Sequence, residues 1–160
     1  MDINGGDISM DRFRGASDHT IDEKGRVIIP VRFRQVLDKL GGDGVVVSRM
    51  DKTLFVYPDS RWSEIEEKIN AQAEKSEYMR RFRRFFIGNA AECPWDKQGR
   101  VLIPPDLRNY ATLEKDITLV GVTDHFEIWN REKWKNENAM MEDEDMKKEE
   151  VRNEIAKLGL

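Results

Sequence analysis

The pattern of hydrophobic and polar positions occurs twice along the chain. A polar turn with the sequence Asp-x-x-Gly-Arg is followed by three branched aliphatic residues and a proline at 22–30, and again at 96–104, an offset of 74. The match resumes downstream at an offset of 72, where Trp62 corresponds to Trp134. Because apolar pattern, turn and aromatic positions recur together, the sequence indicates an internal duplication.

Each copy predicts the same order of elements. The branched aliphatic residues after the turn favour a short strand, which the proline ends because it has no N–H to donate. The proline then suits the opening of a short helix, and two further apolar runs joined by a polar turn predict a hairpin. The predicted elements are strands at 27–29, 45–49 and 54–57 with a helix at 31–40 in the first copy, and strands at 101–103, 117–122 and 126–129 with a helix at 105–111 in the second.

Longer helices follow both hairpins. The first copy predicts a helix at 60–75 with Asp59 as its N-cap, and a second helix at 77–87. In the second copy a helix begins at Arg131. The charged stretch beyond 141 fits either an exposed helix or a frayed tail, and a weak apolar stripe along it favours the helix.

One copy alone has about four short strands, too few to bury both faces of a sheet. The two copies are therefore expected to complete one core together. We predict a mostly β fold with peripheral helices (α+β), in which a barrel with pseudo-two-fold symmetry has the helices packed outside. The predicted divisions are 12–88 for the first repeat with its helical pair, 89–141 for the second repeat, and 142–160 for a charged C-terminal helix or tail.

The charges are unevenly distributed along the chain. The 160 residues contain 27 Lys and Arg against 31 Asp and Glu, a net charge of −4 that argues weakly against a nucleic-acid-binding protein. The placement of the charges matters more than their sum. Residues 12–34 carry six basic and three acidic side chains, whereas residues 131–160 carry seven basic and nine acidic ones. The basic excess therefore surrounds the first Asp-x-x-Gly-Arg turn.

The sequence disfavours several classes of protein. No apolar run approaches the ~18–20 residues that span a bilayer, and residues 1–10 lack the regions of a signal peptide, so we expect a soluble cytoplasmic protein. A single cysteine excludes an internal disulfide. One cysteine and two histidines provide no metal-ligand spacing, and no clustered acid, base or nucleophile indicates an enzyme, a cofactor or a small-molecule substrate.

The duplicated turn carries the most specific chemistry. Asp22 lies four residues before Arg26, and Asp96 lies four before Arg100, which is close enough for each carboxylate to brace a guanidinium across the turn. A guanidinium presents a rigid fork of donors that fits phosphate oxygens or the O6 and N7 atoms of guanine. The alternative is a simple ion-paired turn that stabilises a hairpin. Two copies at equivalent positions favour contact with nucleic acid.

Other residues of the two turns support that interpretation. Gly25 and Gly99 permit the positive φ that a tight bend requires. Lys24 and Lys97 lie in these turns and are predicted to meet phosphates. A separate run at 80–84 contains four arginines, and it fits either a phosphate-contacting helix or the solvated face of a helix, including ion pairs between subunits. We favour the solvated face.

Five segments together resemble one known family. The segments are Arg-Phe-Arg-Gly-Ala at 12–16, Asp-Glu-Lys-Gly-Arg at 22–26, Phe-Ile-Gly-Asn-Ala-Ala-Glu-Cys at 86–93, Asp-Lys-Gln-Gly-Arg at 96–100 and Leu-Ile-Pro at 102–104. They closely resemble the MraZ family, bacterial relatives of the AbrB-type swapped-hairpin transition-state regulators. The resemblance implies two AbrB-like half-domains in one chain, a ring of subunits, and a transcription factor acting on the division and cell-wall gene cluster.

The family's Asp-x-x-x-Arg signature falls on both turns. We therefore expect a sequence-specific DNA-binding transcriptional regulator, associated with the nucleoid, in which Arg26 and Arg100 enter the groove of double-stranded DNA. The predicted phosphate contacts are Lys24, Lys97 and Arg14. A ring built from head-to-tail contacts would present successive identical loops, which favours direct repeats about 10 bp apart. The alternative is a ring-forming protein-interaction scaffold without specific DNA readout. Residues 1–11 precede the resemblance and receive no role.

Overall fold

The fold is taken from a computed structural model, which describes residues 12–160. Residues 1–11, to which the sequence assigns no role, lie outside the described residues. The chain divides into two compact units, one ending at Asn130 and one covering Arg131–Leu160. Both Asp-x-x-Gly-Arg turns belong to the first unit.

The described part of the first unit contains eight strands and four helices. In chain order they are β1 (Phe13–Thr20), β2 (Arg26–Ile28), α1 (Val31–Leu40), β3 (Gly44–Met50), β4 (Thr53–Pro58), α2 (Asp59–Ala73), α3 (Glu77–Phe86), β5 (Ala91–Pro94), β6 (Arg100–Leu102), α4 (Pro105–Tyr110), β7 (Asp116–Thr123) and β8 (Phe126–Asn130). The second unit consists of α5 (Arg131–Asp143), a short 3₁₀ helix (Asp145–Lys147) and α6 (Glu149–Ala156). Among residues 12–160, no helix combines the length and apolar character that a membrane crossing requires.

The strands form one large and one small antiparallel sheet. The large sheet has six strands in the order β1-β7-β8-β4-β3-β5, and β2 pairs with β6 in a separate two-stranded sheet, called the ribbon below. The first strand of each repeat pairs in the large sheet with a strand of the other repeat, since β1 joins β7 and β5 joins β3. The duplication therefore produces one interleaved core rather than two separate ones.

The main core lies between the large sheet and the ribbon. Its centre is a trio of fully buried rings, in which Phe33 stacks on Phe126 at 4.8 Å and Phe13 meets Phe33 edge-on at 5.4 Å. The ribbon enters this core through Val27 and Val101, which lie opposite each other and are completely buried. Burying each such side chain stabilises the fold by about 1.5–3 kcal/mol, so the ribbon is held firmly by its inner face.

A second core packs α2 and α3 on the opposite face of the large sheet. Side chains alternate along a strand, and in β3 Val45 and Val47 join the main core while Val46 joins the second. Trp62 of α2 and Phe86 of α3 are buried there, with ring centroids 5.4 Å apart. The two long helices of the first repeat therefore lie away from the ribbon, on the other face of the sheet.

Several predicted elements need correction. Helices hold more of residues 12–160 than strands do, so the fold is mixed α and β with an antiparallel sheet rather than mostly β. The large sheet is open, with β1 and β5 as its edges. The predicted N-cap Asp59 is instead the first residue of α2, after Pro58 at the cap position. Its negative carboxylate still stabilises α2, because the amino end of a helix carries a partial positive charge.

The other predicted elements agree closely with the structure. The helix at 31–40 has the predicted bounds, and each end of the four hairpin strands matches to within one residue. The strands at 27–29 and 101–103 each begin and end one residue earlier than predicted. Neither β1 nor β5 was predicted as a strand, and these are the two strands that interleave the repeats.

Candidate nucleic-acid interface

The ribbon positions the two arginines predicted from the sequence. In its register Arg26 lies opposite Leu102, Val27 opposite Val101, and Ile28 opposite Arg100. Because side chains alternate along a strand and the two valines point into the core, the flanking residues point outward. Arg26 and Arg100 therefore share one outward face, as diagonal neighbours whose α-carbons are about 7–8 Å apart in a regular ladder.

Backbone bonds join each ribbon strand to the turn of the other repeat. The N–H of Ile29 donates to the carbonyl of Gly99 at 3.0 Å, and the N–H of Ile103 donates to the carbonyl of Gly25 at 2.8 Å. These two bonds follow the same pseudo-two-fold axis that relates Val27 to Val101. The two arginine-bearing turns are thus held in a set relation to each other by main-chain hydrogen bonds.

In the first turn, Asp22 braces Arg26 as the spacing predicts. The Nε atom of Arg26 donates to one carboxylate oxygen of Asp22 at 2.6 Å. The other oxygen accepts from the backbone N–H groups of Arg26 at 2.8 Å and Lys24 at 3.0 Å. The backbone hydrogen bond from Arg26, with the guanidinium beside it, lowers the pKa of Asp22 to about 2. The carboxylate is therefore ionised at any physiological pH.

The second turn repeats this arrangement and adds one bond. Asp96 accepts from the Nε atom of Arg100 at 2.8 Å and from the backbone N–H groups of Arg100 and Gln98 at 2.9 Å. The backbone hydrogen bond from Arg100 lowers the pKa of Asp96. In addition, an Nη2 N–H of Arg100 donates to the side-chain oxygen of Gln98 at 2.5 Å. Lys24 occupies the corresponding position of the first turn and offers no acceptor, so the outer nitrogens of Arg26 have no protein partner within residues 12–160.

The turn glycines adopt the predicted backbone conformation, and each is covered by an arginine that is not among the predicted contact residues. Gly25 has φ +92° and Gly99 has φ +76°. The guanidinium of Arg108 lies against Gly25, where it also donates to the carbonyl of Ile103 at 2.9 Å, and the guanidinium of Arg34 lies against Gly99. Each arginine covers the turn of the other repeat. The recurrence of Arg34 as Arg108 at the offset of 74 was the sequence signal for this pair.

Of the remaining predicted contact residues, two lie in the turns and one lies on β1. Lys24 and Lys97 are exposed in the two turns, but Lys97 aligns with Glu23 rather than with Lys24. Arg14 is exposed on β1 opposite Val122, six residues before the strand ends. At 3.4 Å per residue that distance is about 20 Å along the strand. Arg14 therefore lies far along β1 from the end that leads into the first turn, and its phosphate contact stays a prediction.

Other candidate chemistry does not gather into a site. Within residues 12–160, no group of three or more His, Cys, Asp or Glu side chains could hold a metal ion. Cys93 is buried in the main core, and burial raises the pKa of its thiol to about 11. On α3, Arg81 pairs with Glu77 at 3.6 Å on an exposed helix face. This pairing agrees with the interpretation of the 80–84 run as a solvated face.

The chain is similar to proteins of one family. A family model described as "MraZ protein, putative antitoxin-like" matches the chain twice, over residues 12–85 and 86–154, so that each match contains one Asp-x-x-Gly-Arg turn. The chain is 59% identical over 148 residues to a protein of Desulforapulum autotrophicum named Transcriptional regulator MraZ, covering 92% of this chain and 99% of the relative. Proteins of the same name from Desulfosudis oleivorans (52% over 149 residues; 92% and 99% covered) and Natranaerobius thermophilus (46% over 125 residues; 78% and 85% covered) are also similar.

Proposed function

Because this chain belongs to the MraZ family, we propose that it is a transcriptional regulator that binds specific double-stranded DNA through the outward face of the ribbon. One observation carries the proposal: Arg26 and Arg100 lie on the same outward face, with 33% and 23% of their side chains exposed, and each has its Nε atom held by an aspartate. If the ion pairs only stabilised their own turns, the two arginines would not have to lie next to each other on one face.

The chemistry of this face suits the major groove. A two-stranded antiparallel ribbon fits the width of that groove, and an arginine fork can donate to both O6 and N7 of guanine. With Nε bonded to aspartate, the outer guanidinium nitrogens point away from the brace and less rotamer entropy is lost on binding. The braced arginines are therefore the base-reading residues of the proposal, with Asp22 and Asp96 as positioning residues.

The local excess of positive charge near the ribbon also supports DNA as the partner. Residues 22–34 and 96–108 together contain seven Lys and Arg against four Asp and Glu, although the whole chain has a net charge of −4. In the proposal Lys24 and Lys97 contact phosphates beside the groove. Arg14 would meet the phosphate backbone farther along the duplex.

We further propose an AbrB-like swapped-hairpin barrel built from half-domains at 12–88 and 89–141, followed by the charged segment 142–160. Support comes from the exchange of β1 and β5 between repeats. Isolated bridges also link Ile21 to Val27 and Trp95 to Val101. The ribbon is thereby tied to the chain just after each edge strand of the open sheet, as a closed barrel would require.

The assembly and the target follow from the family resemblance. We propose a ring of identical subunits joined head to tail, which binds direct repeats near 10 bp apart because each subunit would face successive turns of the duplex in the same way. The proposed target is the division and cell-wall gene cluster, and the proposed location is the nucleoid. Native mass spectrometry with and without a duplex carrying two repeats measures both the ring and its DNA complex.

The decisive experiment compares binding of wild type, Arg26→Ala and Arg100→Ala to a duplex from upstream of the protein's own gene and to a scrambled duplex, by fluorescence anisotropy. Each variant should lose roughly 1–3 kcal/mol of discrimination between the two duplexes if its arginine contacts guanine bidentately. Arg152→Ala, an exposed arginine of α6, is the matched control and should keep wild-type discrimination. Unchanged discrimination in both ribbon variants would refute the proposed reading surface.

A ring-forming protein-interaction scaffold is the second candidate. The exposed aliphatic side chains of Ile28 and Leu102 favour it, because exposed apolar groups often mark protein interfaces. A scaffold would assemble in a manner insensitive to salt and would not be retained on DNA. A DNA-binding protein loses affinity steeply with salt because bound counterions are released, so a salt titration separates the two candidates.

A further inference from the structure

Two aliphatic side chains stand exposed on the same ribbon face as the two arginines. Ile28 is 58% exposed and Leu102 is 55% exposed, while Val27 and Val101 between them are fully buried. Neither exposed side chain joins either hydrophobic cluster of the described residues. Their burial in the folded chain therefore does not explain why large apolar residues occupy these positions.

In the register of the ribbon, each arginine lies opposite an aliphatic residue. Arg26 lies opposite Leu102, and Arg100 lies opposite Ile28. Directly opposed residues of an antiparallel pair have β-carbons about 4.5–5.5 Å apart. Each arginine thus has two aliphatic neighbours on this face. One lies opposite it on the other strand, and the second lies two residues later on its own strand.

This mixture fits a groove of DNA better than the surface of another protein subunit. An apolar protein interface would have to desolvate both guanidiniums, which are already committed to aspartates on one side. The major groove instead offers both kinds of group side by side. Guanine presents the O6 and N7 acceptors, and thymine presents its 5-methyl group to apolar side chains.

We infer that Ile28 and Leu102 contact the 5-methyl groups of thymines that lie next to the guanines bound by Arg100 and Arg26. This inference rests on the proposed function. Successive base pairs are about 3.4 Å apart along the duplex, and an opposed arginine and aliphatic residue of the ribbon are separated by about 4.5–5.5 Å, so the two side chains can reach adjacent base pairs. The pseudo-two-fold axis through Val27 and Val101 places the two guanine–thymine readings on opposite strands.

The experiment replaces single thymines of the bound duplex by deoxyuridine, which removes only the 5-methyl group. Wild-type affinity should fall about fourfold at each thymine whose methyl group is buried. Ile28→Ala should bind the thymine and uracil forms equally at one such position, and Leu102→Ala should do so at the other. Their affinity for a scrambled duplex should equal that of wild type, since no charge is removed.

Val31→Ala is the matched control. Val31 is also a highly exposed aliphatic residue, at 74%, but it lies at the beginning of α1 outside the ribbon. This variant should retain the full preference for thymine over uracil. All three substitutions remove exposed side chains, so circular dichroism should show folded proteins with similar midpoints of thermal unfolding.

The outcomes separate this inference from the proposed function. Specific binding by wild type with no thymine sensitive to uracil overturns the inference and leaves the proposed function standing, and that measurement needs no variant at all. Loss of subunit assembly in Ile28→Ala, with the preference for thymine intact, overturns it in favour of a protein interface. Absence of specific DNA binding by wild type overturns both.

Discussion

The guanidinium of Arg108 lies directly against Gly25, which belongs to the turn of the other repeat. A β-carbon added at Gly25 would lie 2.7 Å from the Nε atom of Arg108 and 3.0 Å from the carbonyl oxygen of Ile103. Arg34 covers Gly99 in the same way from the opposite side of the pseudo-two-fold axis. The short helix of each repeat therefore supports the arginine-bearing turn of its counterpart.

Gly25→Ala should destabilise the protein. The φ of +92° strains any residue with a β-carbon, at a cost of about 1–3 kcal/mol, and the methyl group would also displace Arg108. Urea unfolding should show a lower midpoint with an unchanged slope.

Gly41→Ala measures backbone strain without a contact. Gly41 has a similar φ of +81°, but a β-carbon there meets nothing within 4 Å. Its substitution should therefore cost backbone strain alone. Gly41 also has a ψ of 173°, a combination that is essentially restricted to glycine, so its strain is an upper reference. A larger destabilisation by Gly25→Ala than by Gly41→Ala would show that the contact with Arg108 adds to the strain, and no destabilisation by Gly25→Ala would contradict the prediction.

Asp22→Asn should weaken specific DNA binding while leaving the fold intact. The amide oxygen can still accept from the backbone N–H groups of Lys24 and Arg26, but the charged contact to Nε is lost and the guanidinium becomes free to rotate. Anisotropy should show a severalfold fall in discrimination between specific and scrambled duplexes. Non-specific affinity should stay equal or rise, because a negative charge near the phosphates is removed.

Asp96→Asn provides the matched comparison. Arg100 keeps its bond to Gln98 when Asp96 is altered, whereas Arg26 has no such second contact within the described residues. Discrimination should therefore fall less in Asp96→Asn than in Asp22→Asn. The reverse order would mean that Gln98 does not steady Arg100.

Lys24→Gln and Lys97→Gln should weaken binding to every duplex alike. A lysine that contacts a phosphate releases a counterion, so each loss should reduce the slope of log affinity against log salt by about 0.9. Preference among sequences should be unaffected, in contrast to the arginine variants. Lys157→Gln, at an exposed position beyond α6, should leave the slope unchanged. A slope that none of the three alters would place the phosphate contacts elsewhere.

The stability of the fold should depend on pH through His125. The ring stacks on Phe55 at 4.7 Å and on Tyr57 at 4.8 Å, and its nitrogens face Asp124 at 2.8 Å and Glu127 at 3.4 Å. Burial alone would lower the pKa of His125, but the contacts with Glu127 and Asp124 outweigh it and raise the pKa above 6.5. Burial raises the pKa of Tyr57, which keeps that phenol neutral throughout this range.

The sign of the effect follows from linkage. A raised pKa in the folded state means that protonated His125 stabilises the fold, fully below pH 6.5 and progressively less as pH rises through the folded-state pKa. Urea unfolding between pH 5.5 and 8.5 should show wild type losing its advantage over His125→Gln as pH increases. A difference between the two proteins that does not vary with pH would contradict this assignment.

Local signals account for the elements that the sequence predicted well. Proline after three branched aliphatic residues ends β2 and β6, and the glycine at 41 ends α1, because each acts through its own backbone geometry. The sequence does not predict β1, because apolar and polar residues do not alternate along it. Its residues are Phe-Arg-Gly-Ala-Ser-Asp-His-Thr. Its conformation comes from pairing with β7, which lies about 100 residues later in the chain.

In the candidate site too, contacts within one turn could be predicted from the sequence, whereas contacts between the repeats could not. The brace of Asp22 on Arg26 spans four residues and could be inferred from spacing, whereas the cover of Arg34 over Gly99 spans the two repeats and could not. Arg14 is close to the first turn in sequence, yet an extended strand carries it about 20 Å away. Proximity along the chain therefore predicted contacts inside a turn but not contacts beyond it.

By itself, the sequence determined the duplication, the braced arginine in each turn and the short strand and helix that follow, because these depend on residues within a few positions of one another. Only the tertiary structure decided that both arginines share one face with Ile28 and Leu102. That arrangement requires the pairing of β2 with β6, whose register is set by burying Val27 and Val101 in a core to which both repeats contribute.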